Sequence, residues 1–590
     1  MDDKKKICIL LHKHHNSPPS LSISIKHIPY TPEYLINTFP HPRNFLFSPL
    51  TTFPHIKYLH TMPITKIYIK DWLEIKPYDT IHQEDHYYLH LSNKVMEALH
   101  KGDLFKDYKA LFTARVRIQF CCFLTSYLED LVSGSELWNS FVRKHTKLYD
   151  KPLPFYIADD YAEEEINTAD ICFLIWYFMN TIQEETFIDP GNEVILEAGT
   201  LVMDIFEEAW EYAPENDKLK DFYAVEEGAS NYYKSRLSID KILFRSWLFS
   251  TDTKKTLEVS VETLLNESEI DSPRHIILNE TRDFILHTSY TRLLSLKGNE
   301  WAAEVNGKRL DLRHEFNNMS PKILGNFFYK GQDEYDIFFE HVASGKLFNM
   351  TKKSYDHAKE LVEVDKIFSL GLVKWLGEWW FSGTIYELPY NENFIKKERK
   401  SIDALRAVAF LDDDSEFMKE TLIQHRKLFL EYCKGQEIVF MPFDHIEKFV
   451  KGYMKYFNNK LGQGDAPNED VEDINWDWNE ISNPSGDTGL VYFNPESGVE
   501  MAHGFNSAFA VDHNPYYDEE KSTEHLMQML MDKSISTELC FYAIEQGKNK
   551  LPLFKILGSK GILPDIDFLL RFWKRDAYHT RPSFALTGKK

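Results

Sequence analysis

Sixty-one residues of basic, proline- and histidine-rich chain precede a body that is acidic, aromatic and periodic, and the change at Met62 decides which part of this sequence can fold. Up to Thr61 the acidic residues are Asp2, Asp3 and Glu33, against seven Lys/Arg, eight Pro and seven His. A run such as His12-Lys13-His14-His15-Asn16-Ser17-Pro18-Pro19 has no hydrophobic period and cannot bury enough surface to offset its chain entropy. Residues 1–61 are therefore expected to be a non-native or disordered extension, with Met62 the true start. The plainer alternative is a basic disordered tail.

The whole chain holds 68 Lys+Arg and 91 Asp+Glu, a formal charge of −23; without the first 61 residues the balance is 61 to 88, or −27. Such a body repels nucleic acid at long range, so contact with a phosphate backbone needs a local patch. With 43% hydrophobic and 14% aromatic residues it can bury large cores, and its length suits two to four domains. Six cysteines (Cys8, Cys121, Cys122, Cys172, Cys433, Cys540) show no Cys-x-x-Cys spacing and read as free thiols in a reducing cytoplasm. The longest apolar run, Ile171 to Met179, is nine residues, half of what a membrane span needs, and predicts a core helix.

Helical spacing dominates up to residue 290. Thr80 and Gln83 form a candidate capping box for a helix to Gly102, and Asp103 to Val132 predicts one long core helix ending at Gly134. Further helices are expected over 135–149, 167–183, 192–212 and 232–249. From Arg292 the period shifts to two, predicting strands at 292–297, 300–305, 326–330, 336–342 and 346–351, with Ser344-Gly345 as a hairpin turn. The expectation is a mainly α chain with a small antiparallel β insertion: a helical domain over 62–290, a β barrel or sheet of SH3-like or OB shape over 291–352, a helical domain over 353–461, an acidic linker over 462–489 that carries Trp476 and Trp478, and a C-terminal α+β unit over 490–590. Within these, 354–368 is expected to be helical, 379–388 a strand, and 490–493 with 499–503 a hairpin.

The string Lys66-Ile67-Tyr68-Ile69-Lys70-Asp71-Trp72-Leu73, then Tyr87-Tyr88-Leu89, then Asp567-Phe568-Leu569-Leu570-Arg571-Phe572-Trp573-Lys574 and Leu586-Thr587-Gly588-Lys589, resembles a domain-of-unknown-function family, number 3843, associated with Bacteroidetes. The resemblance runs from about Met62 to the end and implies a bacterial, cytoplasmic setting. It implies no mechanism, because these motifs carry no recognisable chemistry.

Three constellations carry possible chemistry. His82, His86 and His90 are spaced four apart; on one helix, adjacent pairs can reach one zinc ion, although three histidines at a helix edge are more often a solvated face. His503, Asp512 and His513 surround an Asn/Phe/Pro-rich loop that can line a metal or acid–base cleft, or merely be an ordered loop. Arg571, Lys574, Arg575 and Arg581 with Trp573 offer a nucleic-acid or partner contact; alternatively the cations pair with the acidic body while the aromatics anchor a helix. No phosphate loop, nucleophile elbow or dinucleotide fingerprint is present. The expected function is a macromolecule-binding adaptor or regulatory scaffold with a protein partner, no membrane association and no required cofactor. The alternatives are a metal-dependent hydrolase and a nucleic-acid-binding protein.

Overall fold

The computed structural model describes residues 65–156, 161–183, 186–224, 230–267, 274–307, 310–409, 411, 415–460, 488–547 and 562–580. The extension over 1–61, residues 462–487 of the expected acidic linker and Arg581 lie outside the described residues, while Thr488 and Gly489, expected to end that linker, begin a strand. The protein is mainly α: the described residues form twenty α-helices and eight strands, the strands in a closed five-stranded barrel and a three-stranded sheet.

The helical core forms around Thr168–Thr181, whose residues from Asp170 to Thr181 are all buried. The helix Ile562–Lys574, far along the chain, inserts beside it: Phe572 lies 5.1 Å and Phe568 6.0 Å, ring to ring, from Trp176. Apolar residues from Ile67 to Val305 and from Leu490 to Trp573 thus share one core. The acidic composition penetrates this core as acceptors for aromatic donors. Asp85 takes Trp72 Nε1 (2.9 Å) and Tyr78 OH (3.1 Å). Asp130 takes Trp247 Nε1 (3.2 Å) and the Trp138 amide (2.9 Å). Asp170 takes Tyr127 OH (2.7 Å), Tyr161 OH (2.9 Å) and Trp138 Nε1 (3.0 Å).

Several expected elements are redrawn. The single helix over 103–132 is two, Leu104–Asp107 and Ala114–Ser133, because Thr113 caps the second by accepting the Val116 amide. Its end at Gly134, in the left-handed region at φ 62°, is as expected. The first helix near the start is Gln83–Lys101, with His82 as N-cap in place of Thr80 and Asp85 bonded back to the His82 amide at 2.7 Å. The strands expected at 292–297 and 300–305 are instead a tight turn, with Leu294 and Ser295 at positive φ, and a helix, Gly298–Val305. Glu300 caps that helix through the Lys297 amide, and its run of buried side chains mimics a strand. A Cβ on Gly298 would stand 2.5 Å from Ile239, so close helix packing demands glycine there.

The barrel consists of β1 (Ile323–Gln332), β2 (Asp336–His341), β3 (Leu347–Thr351), β4 (Ile367–Trp375) and β5 (Glu378–Leu388). Residues 354–366, expected to be helical, carry only short 3-10 turns, and β4 follows them. The order β1-β2-β3-β5-β4 closes through β1–β4 pairing, and β3 meets β5 in parallel at Met350–Trp379. That is the connectivity of the OB barrel. The second sheet joins β6 (Ile438–Pro442), which sequence analysis passed over, to the expected hairpin β7 (Thr488–Asn494) and β8 (Gly498–His503).

Burial pushes the Asp170 carboxyl up to about 7, with three aromatic donors and Asn167 pulling the other way. The unfolded chain ionises near the ordinary value of 3.8, so the folded state holds its proton to higher pH. The resulting contribution is present below pH 4 and is lost as pH rises from about 4 to 7, by about 1.4 kcal/mol per pH unit at most. Asp170→Asn is expected to lower stability throughout, because its amide faces donors, and to flatten this slope; urea unfolding at pH 5 and pH 7.5 measures both.

Candidate functional site

Polar chemistry concentrates where the helix Arg274–Thr288 meets β5. Two glycines open the barrel wall there. A Cβ on Gly371, paired across from Ser382, would stand 2.5 Å from the Ser382 carbonyl and would collide with Lys322. Gly383 takes φ +90° beside the Asp283 carboxylate. Lys322 crosses this gap to pair with Asp283 Oδ2. Arg236, on the helix Tyr232–Arg245, donates Nε to Asp283 Oδ1 at 2.8 Å, and Ser382 donates its hydroxyl to the same oxygen at 3.0 Å. Tyr232 OH lies 2.7 Å from Ser382 Oγ and 2.8 Å from His287 Nε2. One turn away, Glu280 accepts the hydroxyls of Thr384 and Tyr386.

Burial alone would raise the Asp283 carboxyl, but the adjoining Lys322 and Arg236 outweigh it and hold the group well below the carboxylate range. Burial drives the His287 imidazole down to about 3, against the pull of Asp283, so the ring is neutral at pH 7. Serine, histidine and aspartate meet here, yet not as a nucleophilic triad. A triad places its carboxylate on the imidazole nitrogen opposite the nucleophile. Here Ser382 Oγ (3.3 Å), Tyr232 OH and Asp283 Oδ1 (3.9 Å) all converge on the same Nε2. Tyr232, Asp283 and Ser382 are each at most 1% exposed, so the cluster works as a joint between helices and barrel.

A second concentration is a cleft of about 780 Å³ on the other side of the same helix, lined by Arg245, Lys254, Leu257, Val261, Arg274 and Arg282 among others.

The three constellations named from sequence fall elsewhere. His82 stands outside the helix as its N-cap, its ring edge-on to Tyr78 at 4.6 Å, while His86 and His90 are exposed. His503 packs edge-on to Phe443 at 5.2 Å, and His513 lies 5.8 Å from the Phe440 ring; both histidines and Asp512 are exposed. Asn514 holds that loop, donating to the carbonyls of Asn506 (2.7 Å) and Phe509 (2.9 Å). Among the described residues no group of three or more His, Cys, Asp or Glu is arranged to hold a metal ion.

The C-terminal cations are engaged internally. Arg571 pairs with Asp567 at 2.9 Å and stacks on Tyr578. Lys574, 1% exposed, donates to the carbonyls of Met529, Asp532 and Ile535 at the end of the helix Ser522–Met531. Arg575 pairs with Asp252 at 3.0 Å, and Trp573 is buried edge-on to Phe187.

Residues 66–320 match the family model described as a protein of unknown function (DUF3843). This is the family that the strings near Lys66 resemble, but the match is narrower than the resemblance implied: it stops at Ser320, just ahead of β1. Comparison with curated proteins and with solved structures gives no match. The joint centres on a stretch, 250–290, where the sequence pattern predicts no individual element. The available signal was Glu280, Asp283 and His287 at helical spacing, flanked by the apolar clusters Ile276-Ile277-Leu278 and Phe284-Ile285-Leu286.

Asp283→Asn leaves Lys322 and Arg236 facing a neutral amide in a buried site, and is expected to cost about 3–5 kcal/mol in urea unfolding at pH 7. Both depressed groups have the same pH sign. The Asp283 contribution is present above about pH 4, and that of His287 above about pH 6.5; each is lost as pH falls. His287→Gln is therefore expected to blunt the decline in stability between pH 6.5 and pH 3.

Proposed function

We propose that the protein is a cytoplasmic adaptor that binds another protein through the outer face of β2 and β3. The observation that carries this reading is the polarity of the barrel's mounting. Its β5 wall is gripped through Ser382, Thr384 and Tyr386, whereas Tyr335 at the β1–β2 turn is 70% exposed and Leu347 on β3 is 64% exposed. Phe338, on the outer face of β2, pairs across to Asn349 and is half-buried. Anchors of this kind suit a protein partner, whose binding energy concentrates in a few aromatic and aliphatic contacts.

Charge argues against a nucleic acid strand on this face. Lys330 pairs with Asp365 at 2.8 Å, Lys353 with Glu378 at 2.7 Å, and Lys352 donates to the Asp333 carbonyl. Asp333, Glu334, Asp336 and Glu340 lie among them. These lysines are already engaged, and a phosphate backbone would meet the carboxylates. A cytoplasmic setting is supported by five buried cysteines that carry free thiols.

A photo-crosslinking side chain placed at Tyr335 in the full chain, within its own cells, is expected to capture one protein species. Leu347→Asp is expected to reduce that capture about tenfold or more. A nuclease-sensitive adduct, or none, would refute the reading.

A further inference from the structure

The 780 Å³ cleft inverts the chemistry of the chain around it. The sequence as a whole has more carboxylates than cations, 91 against 68, yet among the described residues the cleft is lined by six cations and three carboxylates. Four of the cations are already occupied: Lys76 with Glu129, Lys254 with the Glu74 carbonyl at 2.8 Å, Arg282 with Asp240, and, more loosely, Lys255 with Glu258 at 3.5 Å. Arg245 and Arg274 are different. Both are exposed, both line the cleft, and among the described residues neither guanidinium has a carboxylate or carbonyl partner. They belong to two separate helices, Tyr232–Arg245 and Arg274–Thr288, so the fold brings them to one cavity from different parts of the chain.

The rest of the lining is apolar and aliphatic. Leu257, Val261 and Leu265 form a stripe at helical spacing on Thr253–Glu267, and Leu278, 37% exposed, joins from Arg274–Thr288. The aromatic lining residue, Phe244, is 4% exposed and covered by the Arg282 guanidinium at 5.1 Å, so no open ring face is offered to a nucleobase. The volume falls within the range of small-molecule sites.

We propose that this cleft binds a small amphiphile, its phosphate or carboxylate head on Arg245 and Arg274 and its aliphatic tail along Leu257, Val261, Leu265 and Leu278. The two heads share one chemistry: guanidinium groups take both by charge-assisted, two-pronged hydrogen bonds. The tail gains by leaving water along the aliphatic stripe. Such a ligand would touch the barrel's mounting directly. Arg274–Thr288 presents Arg274, Leu278 and Arg282 to the cleft, and Glu280, Asp283 and His287 to the barrel side.

The test is equilibrium binding to the full chain of dodecyl phosphate and of dodecanoate, each below its micelle concentration. Inorganic phosphate, dodecanol and dodecyltrimethylammonium serve as comparisons. Saturable one-to-one binding of at least one anion is expected, weakening about tenfold or more when the tail is cut to eight carbons. Arg245→Ala with Arg274→Ala is expected to weaken anion binding about tenfold or more and to leave dodecanol unchanged. Preference for one anion over the other assigns the head. If that double variant fails to fold, Leu278→Asp replaces it and is expected to abolish the dependence on tail length. The proposal is overturned if neither anion binds, if inorganic phosphate or the cationic amphiphile matches them, or if the substitutions leave the anion affinity unchanged.

Discussion

The orientation of the barrel depends on one carboxylate. Asp283 sits on a helix of the body, and its two oxygens accept from Arg236 on a second helix, from Lys322 just ahead of β1, and from Ser382 on β5. Burying a charge costs several kcal/mol unless its partners restore what water supplied, and removing one partner leaves the others uncompensated. An apolar contact of similar area would tolerate sliding. A carboxylate shared by two cations and a hydroxyl does not, because each partner fixes a direction as well as a distance. Gly371 and Gly383 show the accommodation made for it, giving up packing in β4 and β5 so that Lys322 can pass.

The same logic runs through the helical core with the opposite electrostatic sign. Tyrosine and tryptophan bring large apolar area together with one polar hydrogen, which needs an acceptor once buried. This chain supplies carboxylates: Asp85, Asp130 and Asp170 among the N-terminal helices, and Asp567 for Tyr149 and Tyr578 where the last helix docks. Among the described residues no cation is paired with Asp170, and neutral donors stabilise an ionised carboxylate less than a neighbouring cation does, so its carboxyl is raised where Asp283 is lowered. The acidic excess therefore serves the interior as well as the surface.

Sequence patterning made the long helices legible because their apolar faces repeat over three or more turns. It also found the β2–β3 hairpin through Ser344-Gly345, with Gly345 at φ +73°. It failed where burial is complete on all sides. Leu293 to Leu296 and Trp301 to Ala303 are buried in succession, and a run of that kind carries neither period. β4 is hidden for the same reason, with Leu370 to Val373 buried between sheet and core. The functional residues were harder still. A lone Asp or Arg in a helical pattern normally reads as solvated surface, and only the assembled fold shows that Asp283 faces inward while Arg245 and Arg274 share a cleft.

The family match divides these features unevenly. Residues 66–320 contain the whole lining of the cleft, together with Tyr232, Arg236, Asp283 and His287, but neither Lys322 nor Ser382 nor any strand of the barrel. A helix that evolved only to carry the barrel would have no need of an exposed arginine on its far side, Arg274, that has no carboxylate or carbonyl partner among the described residues. A helix that only lined a cleft would have no need to bury Asp283 against two cations. Arg274–Thr288 does both, and the spacing explains how: Arg274, Leu278 and Arg282 repeat every four residues along one face, while Glu280, Asp283 and His287 follow the three-then-four rhythm of the other. The cleft and the barrel thus lie on opposite sides of the same two-faced helix, and a displacement of that helix at either side is felt at the other.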